Sequence, residues 1–120
     1  VFITKDSCDI YSPKVVRGSM GAIFRVPFYI INDAEEYIEC EFNKHGRSYA
    51  ACLKDTAKTL GDFEFSKNAL VVIGNEANGL SEMTINACNY QVIVPMKGKI
   101  DSLNAGVAAS IIMWEMSNNE

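Results

Sequence analysis

The stretch LVVIGNEANGLSEMTINACNYQVIVPMKGKIDSLNAGVAASIIMWE, residues 70–115, decides the fold that this sequence predicts. It contains two short, mostly apolar runs, Leu70–Ile73 and Gln91–Val94, which are typical of buried β-strands. Each run is followed by a loop of small and polar residues, first Gly74–Leu80 and then Pro95–Asn104. Each loop leads into a predicted helix, so the stretch consists of two successive strand–loop–helix units.

Size and composition indicate one ordinary globular domain. The chain has 120 residues, of which 48% are hydrophobic and 22% are charged. Its net charge is −4, whereas a domain that holds nucleic acid by its own surface is usually basic. A nucleic-acid partner would therefore need local basic residues, a second subunit or another domain.

The cysteines and the single histidine disfavour a metal site. No cysteine pair forms a CxxC motif, and His45 is no closer than five residues to any cysteine, so neither zinc nor a redox pair is predicted. We expect free thiols, buried or partly buried, in a reducing cytoplasm, at Cys8, Cys40, Cys52 and Cys88. Neither a signal peptide nor a membrane-spanning run is evident. Because the chain begins inside an apolar run at Val1, we also expect a segment upstream of it.

The remaining chain predicts further strands and helices. Additional strands are expected at Val1–Ile3, Ala22–Val26 and Tyr49–Leu53. The alternation of strands with helices predicts an α/β domain with a mostly parallel sheet flanked by helices.

Two helices are predicted before the opening stretch. The first begins with Ser12 as N-cap and Pro13 at the first helical position, and it runs toward Met20. The second is capped by Asn32 or Asp33 and ends near His45-Gly46, and Lys54–Phe65 is expected to be a loop.

The first loop of the opening stretch is a candidate ligand site, because ligands bind at the carboxyl ends of strands in parallel sheets. Gly74 and Gly79 allow a close approach to the backbone. The pattern is neither a P-loop nor a dinucleotide fingerprint. Glu76 is the one acid of this loop, and it can be read equally as a functional acid or as a solvated or capping turn residue.

The second loop ends at the predicted helix Ser102–Met116. Ser102 is a natural N-cap there, and Asn104 falls in the first turn. Helix capping and a ligand contact are compatible for Ser102, since both use the same end of the helix. Because no histidine or second base is near, a Ser-His hydrolase is disfavoured.

Two motifs resemble a known family. LVVIGNEANGLS and VIVPMKGKIDSLNAGVAASIIMWE resemble the second and third motifs of the SpoU (TrmH) family of S-adenosylmethionine-dependent RNA ribose 2′-O-methyltransferases in the SPOUT superfamily. DIYSPKVVRGSMGAIFRVPFY resembles the family's segment between the first and second motifs. Ala77 stands where the family usually has glycine. The resemblance implies one catalytic domain over residues 1–120 with a C-terminal trefoil knot, whose first motif, with its Asn and Arg, would lie upstream of Val1.

The resemblance also implies site residues and partners. Backbone groups of both loops would hold S-adenosylmethionine, at Ile73, Gly74, Asn75, Glu76, Gly79, Ile93, Pro95, Met96, Ser102 and Leu103. The family's polar active-site positions match Glu76, Ser102 and Asn104. The last helix would form a homodimer through Val107, Ile111, Ile112 and Trp114. No metal ion is implied.

The sequence leaves three functions to compare. The first is methylation of a ribose 2′-hydroxyl in rRNA or tRNA, with Arg17 and Arg25 as candidate phosphate contacts that are otherwise simply solvated. The second is a cofactor-binding knotted domain without transferase activity of its own. The third is a structural α/β dimer module whose loops only cap helices, but such a module has no need for the combination of residues in the two loops.

Overall fold

The computed structural model describes residues 1–98 and 103–118. The chain divides into two compact units, Val1–Ala34 and Glu35–Glu120. Ser102, one of the predicted site residues, lies outside the described residues, and so does the segment 99–102 on which a knot would depend. The trefoil knot therefore stays a prediction.

The first unit is built on a pair of parallel strands. Strand β1 (Phe2–Thr4) pairs with β2 (Tyr29–Ile31), and helix α1 (Pro13–Gly18) lies between them in sequence. The predicted start of α1 is confirmed, because the Ser12 side chain accepts a hydrogen bond from the Val15 backbone N–H at 3.4 Å. Val1–Ile3 was expected to be the end of a buried strand, but Val1 is 67% exposed. Among the described strands, β1 is hydrogen-bonded to β2 alone, so this sheet buries little of the segment.

One strand prediction in this unit is wrong. Ala22–Val26 was expected to be extended, but Ala22–Phe24 forms a 3₁₀ helix, and the strand begins only at Tyr29. The two preceding residues, Met20 and Gly21, both have left-handed φ angles, 51° and 85°. They turn the chain into the 3₁₀ helix, and a short apolar run does not by itself distinguish these two conformations.

The second unit contains a four-stranded, all-parallel sheet. Its strands are β3 (Arg47–Ala51), β4 (Lys58–Thr59), β5 (Ala69–Val72) and β6 (Tyr90–Ile93), in the order β4-β6-β3-β5. The helices are α2 (Ala34–Cys40), α3 (Glu82–Ala87) and α4 (Ala105–Asn118). Because β3 lies between β6 and β5, the carboxyl ends of these three strands share one edge of the sheet. The predicted parallel α/β architecture is therefore confirmed.

Three element boundaries in this unit differ from the predictions. The helix expected to reach His45 ends at Cys40, because Glu41 leaves the helical region and a separate 3₁₀ helix, Phe42–Lys44, follows. The predicted loop over 54–65 contains β4, which is only two residues long and so gives no period to detect. Helix α4 begins at Ala105 rather than at position 102.

The core of the second unit joins the sheet to α4. Tyr49, Phe65, Val92 and Ile112 form a buried cluster, in which the rings of Tyr49 and Phe65 meet edge to face with centroids 4.8 Å apart. The Tyr49 hydroxyl also accepts a hydrogen bond from the Ser66 backbone N–H at 3.1 Å. Burial of Ile112 fixes one face of α4 against the sheet, which positions the start of the helix at the sheet edge.

Cysteine burial was only partly predicted. All four thiols are free, but Cys8 and Cys40 are exposed, and only Cys52 and Cys88 are partly buried. Cys40 is the last residue of the short helix α2. Among the helices in the described ranges, none combines the length and apolar character needed to cross a bilayer.

Candidate ligand site at the carboxyl edge of the sheet

A cavity of about 480 Å³ opens at the carboxyl edge of the parallel sheet. Its walls come from residues 51–54 at the end of β3, residues 73–80 after β5, the end of β6 and the first turns of α4. This volume lies within the range of roughly 300–1,000 Å³ typical of small-molecule sites. The cavity occupies the location that parallel α/β sheets use for ligands.

The first loop is folded tightly back on itself. The Asn75 carbonyl accepts a hydrogen bond from the Gly79 backbone N–H at 3.0 Å, and the Asn75 side-chain oxygen accepts one from the Asn78 N–H at 2.7 Å. A side chain at Gly74 would lie 2.6 Å from the Gly79 carbonyl oxygen, which no real Cβ tolerates. Gly79 itself has a left-handed φ of 64°. Both glycines are therefore required by the shape of the loop.

Asn104 caps α4 and connects the two loops. Its Oδ1 accepts hydrogen bonds from the backbone N–H groups of Gly106 at 2.9 Å and Val107 at 3.3 Å. This makes Asn104 the N-cap, which corrects the prediction that Ser102 is the cap and Asn104 a first-turn residue. Its Nδ2 donates a hydrogen bond to Oε1 of Glu76 at 2.9 Å. One side chain thus orders the helix start and orients the acid of the first loop.

Most predicted ligand residues are brought together at this cavity. Eight of them line it: Ile73, Gly74, Asn75, Glu76, Gly79, Ile93, Met96 and Leu103. Pro95 is exposed between two lining residues and is not itself part of the wall, so its role stays a prediction. Arg17 and Arg25 are exposed residues of the first unit and do not belong to the wall.

The third wall was not predicted. Residues 51–54 line the cavity because β3 lies between β5 and β6 in the sheet. The Lys54 ammonium forms an ion pair with the Glu82 carboxylate in the first turn of α3, with Nζ and Oε2 2.6 Å apart. The sequence does predict that a strand ends in this region, at residues 49–53. The place of that strand in the sheet order, which brings it to the cavity, cannot be read from one sequence.

The cavity lacks a reactive thiol. Burial raises the pKa of the Cys52 thiol, and the hydrogen bond from the Lys54 backbone and the Lys54 charge only partly oppose this effect. The thiol is therefore protonated at neutral pH, and the thiol form is a poor nucleophile. Within residues 1–98 and 103–118, no group of three or more His, Cys, Asp or Glu side chains is placed to hold a metal ion.

The fold and the cavity together define a parallel α/β domain with a small-molecule site formed by two glycine-containing loops. The model of the SpoU rRNA Methylase family matches residues 1–114. The chain belongs to this family of methyltransferases, and this match confirms the resemblance seen in the two loop motifs.

Several relatives are similar over nearly the whole chain. A 23S rRNA (uridine(2479)-2′-O)-methyltransferase of Streptomyces viridochromogenes is 32% identical over 119 residues, covering 96% of this chain and 42% of the relative. The crystal structure of the SpoU methyltransferase AviRb from Streptomyces viridochromogenes, in complex with the cofactor AdoMet, is 29% identical and matches with a TM-score of 0.82 over 98% of this chain and 47% of that one.

A third comparison supports the fold. An rRNA methyltransferase structure from Sinorhizobium meliloti matches with a TM-score of 0.86 at 24% identity, covering 98% of this chain and 44% of the other. The chain spans less than half the length of each of these three relatives.

Proposed function

We propose that this protein binds S-adenosylmethionine in the cavity and transfers its methyl group to a ribose 2′-hydroxyl of rRNA or tRNA. The observation that carries the proposal is the cavity itself, which is formed by both family loops and joined by the hydrogen bond between Asn104 and Glu76. Membership of the SpoU family supports methyl transfer. The 2′-hydroxyl as acceptor is supported by the named activity of the Streptomyces relative.

The residues of the cavity suit this cofactor. Aliphatic side chains, among them Ile73, Val92 and Ile93, provide an apolar surface suited to a planar adenine ring. Polar groups of the 74–80 loop stand at the same wall, where they can meet ribose hydroxyls and the amino-acid end. The carboxylate of Glu76 is complementary to a positively charged ligand. When bound, S-adenosylmethionine supplies an electrophilic methyl group on a positively charged sulfur.

The protein contributes to the reaction by aligning the hydroxyl with the methyl donor and by assisting removal of the hydroxyl proton. Displacement at a methyl group requires the hydroxyl to be held in line with the donor, and its proton must be removed. We assign Glu76, Ser102 and Asn104 as the polar groups of this step, with Asn104 fixing the orientation of the Glu76 carboxylate. Arg17 and Arg25 are assigned to RNA phosphates, because both residues are exposed and the planar guanidinium fork matches the geometry of a phosphate.

The protein is proposed to act as a homodimer through α4. Val107, Ile111 and Trp114 are 48%, 38% and 70% exposed, at spacings that place them along one side of the helix. Ile112, which was also predicted at this interface, is 1% exposed and belongs to the protein's own core, so that part of the prediction is wrong. We place this activity in the cytoplasm.

A second candidate is a cofactor-binding domain without transferase activity of its own. It is favoured by one observation, that the described cavity wall offers groups for the cofactor but no cation that the proposal assigns to RNA. Both candidates require the cavity to bind S-adenosylmethionine, and they differ only in methyl transfer.

Two measurements test the proposal. Titration calorimetry should show saturable binding of S-adenosylmethionine, and the absence of heat at millimolar ligand would reject both candidates. Incubation with methyl-labelled cofactor and rRNA or tRNA transcripts should then label the RNA at a ribose 2′-oxygen. Binding without labelling of any transcript would favour the second candidate.

A further inference from the structure

Lys54 is the only positively charged side chain among the described residues that line the cavity, and Glu76 is the only negatively charged one. The rest of the described wall consists of apolar, glycine and amide residues and Cys52. A charged ligand in such a cavity is oriented by these two groups, since charge interactions are stronger beside an apolar wall than in bulk water. Lys54 and Glu76 therefore place a positive and a negative charge on the cavity wall, and a ligand that carries both signs of charge can be oriented between them.

The Lys54 side chain is held by α3. Its ammonium lies 2.6 Å from Oε2 of Glu82 in the first turn of that helix. An ammonium group has three N–H donors, and the pair with Glu82 uses one of them. The side chain is 35% exposed, so its remaining donors are accessible to a ligand.

The ion pair with Glu82 does not by itself explain why a lysine stands at position 54 in the cavity wall. The Glu82 side chain is 69% exposed, and exposed ion pairs contribute little to the free energy of folding. Lys58 is a useful contrast four residues on, because its ammonium lies 4.3 Å from the centroid of the Tyr90 ring and is not part of the cavity wall.

We infer that Lys54 binds the carboxylate of the methionyl part of S-adenosylmethionine and so determines specificity for the complete amino-acid end of the cofactor. This inference rests on the proposed function. Among the charged groups of the cofactor, the carboxylate is the one with a negative charge, and Lys54 is the one described cation of the wall that complements it. Glu76 is left to complement the positive groups of the ligand. Lys54 acts in binding and orientation, and it moves no proton.

The test compares two ligands on the protein and its variants. S-adenosylmethionine and its decarboxylated form, which has hydrogen in place of the carboxylate, are titrated by calorimetry. The wild-type protein should prefer the carboxylate-bearing ligand by roughly tenfold, the value of about one charge-assisted hydrogen bond. Lys54→Ala should reduce the preference to near unity by weakening S-adenosylmethionine alone. Lys54→Arg should keep the preference, because it keeps the cation.

The control variant is Lys58→Ala, which removes a neighbouring lysine outside the wall and should leave the preference unchanged. Equal preferences in the wild-type protein and Lys54→Ala would overturn the inference while leaving the proposed function intact. A wild-type protein that binds neither ligand would reject the proposed function, and the inference with it. A preference lost equally in Lys58→Ala would show a general charge effect and would also overturn the assignment to Lys54.

Discussion

The side-chain amide of Asn104 contacts both the start of α4 and the acid of the first loop, through Oδ1 to the Gly106 N–H and through Nδ2 to Glu76 Oε1, each at 2.9 Å. One residue thus links the start of α4 to the first loop. The stability of the helix start and the orientation of the candidate catalytic acid therefore depend on the same side chain. A substitution at position 104 that removes only one of its two polar atoms separates the two effects.

Asn104→Ala should lower turnover by about tenfold or more while changing cofactor affinity less, because it leaves the Glu76 carboxylate without its partner. It should also cost about 1 kcal/mol in the free energy of unfolding through loss of the N-cap. Asn104→Asp is the matched control, since it keeps the capping oxygen and removes the donor. Methyl-transfer kinetics and urea denaturation measure the two effects. Turnover restored by Asn104→Asp would show that only the cap matters.

Gly74→Ala should destabilise the protein by about 1–3 kcal/mol and weaken cofactor binding, because the new methyl group would collide with the backbone of Gly79 and Leu80. Gly18→Ala is the control, since a Cβ there meets nothing within 4 Å. The free energy of unfolding and calorimetric affinity are measured for both. If Gly74→Ala bound cofactor as tightly as the control, the tight loop would not be required for the site.

Alkaline pH should weaken the fold through Cys88. Burial raises the pKa of this thiol from 9.0 to about 11, with a smaller increase from nearby Cys52, against a hydrogen bond with Ser48 that lowers it. The unfolded state therefore loses this proton first, so the contribution to stability is complete below pH 9 and is lost as the pH rises to about 11. Cys88→Ala should remove that part of the decline in denaturation experiments. An identical alkaline decline in the variant would assign it to other groups.

Trp114→Ala should weaken the proposed homodimer by roughly 2 kcal/mol or more, since large exposed aromatic side chains contribute most to such interfaces. Its ring is 70% exposed on α4. Met83→Ala on α3 is the control, because Met83 is similarly exposed, at 72%, and lies on another helix. Sedimentation velocity across a concentration series gives the dimer dissociation constant. A wild-type protein that stays monomeric at high concentration would contradict the dimer itself.

The two loops of the opening stretch could be predicted from sequence because local signals coincide there. Strands β5 and β6 are short, mostly apolar runs, and the first loop leads directly into α3, which Ser81 caps. The wall at 51–54 could not be predicted, because it depends on β3 pairing with both of those strands, a non-local fact. The start of α4 was misplaced for a similar reason, since serine and asparagine are both good N-caps, and the partner at Glu76 distinguishes them only in the folded protein.

The strand order β4-β6-β3-β5 has a consequence for the lifetime of the protein. The walls of the cavity come from segments spread over residues 51–112, and they meet only after parallel strands distant in sequence have paired. A ligand of this cavity can bind the native state and has no site on the unfolded chain. At a concentration 100 times its dissociation constant, such a ligand adds about 2.7 kcal/mol to the free energy of unfolding. A larger supply of the ligand would then lower the fraction of unfolded chains, which are the chains open to proteolysis.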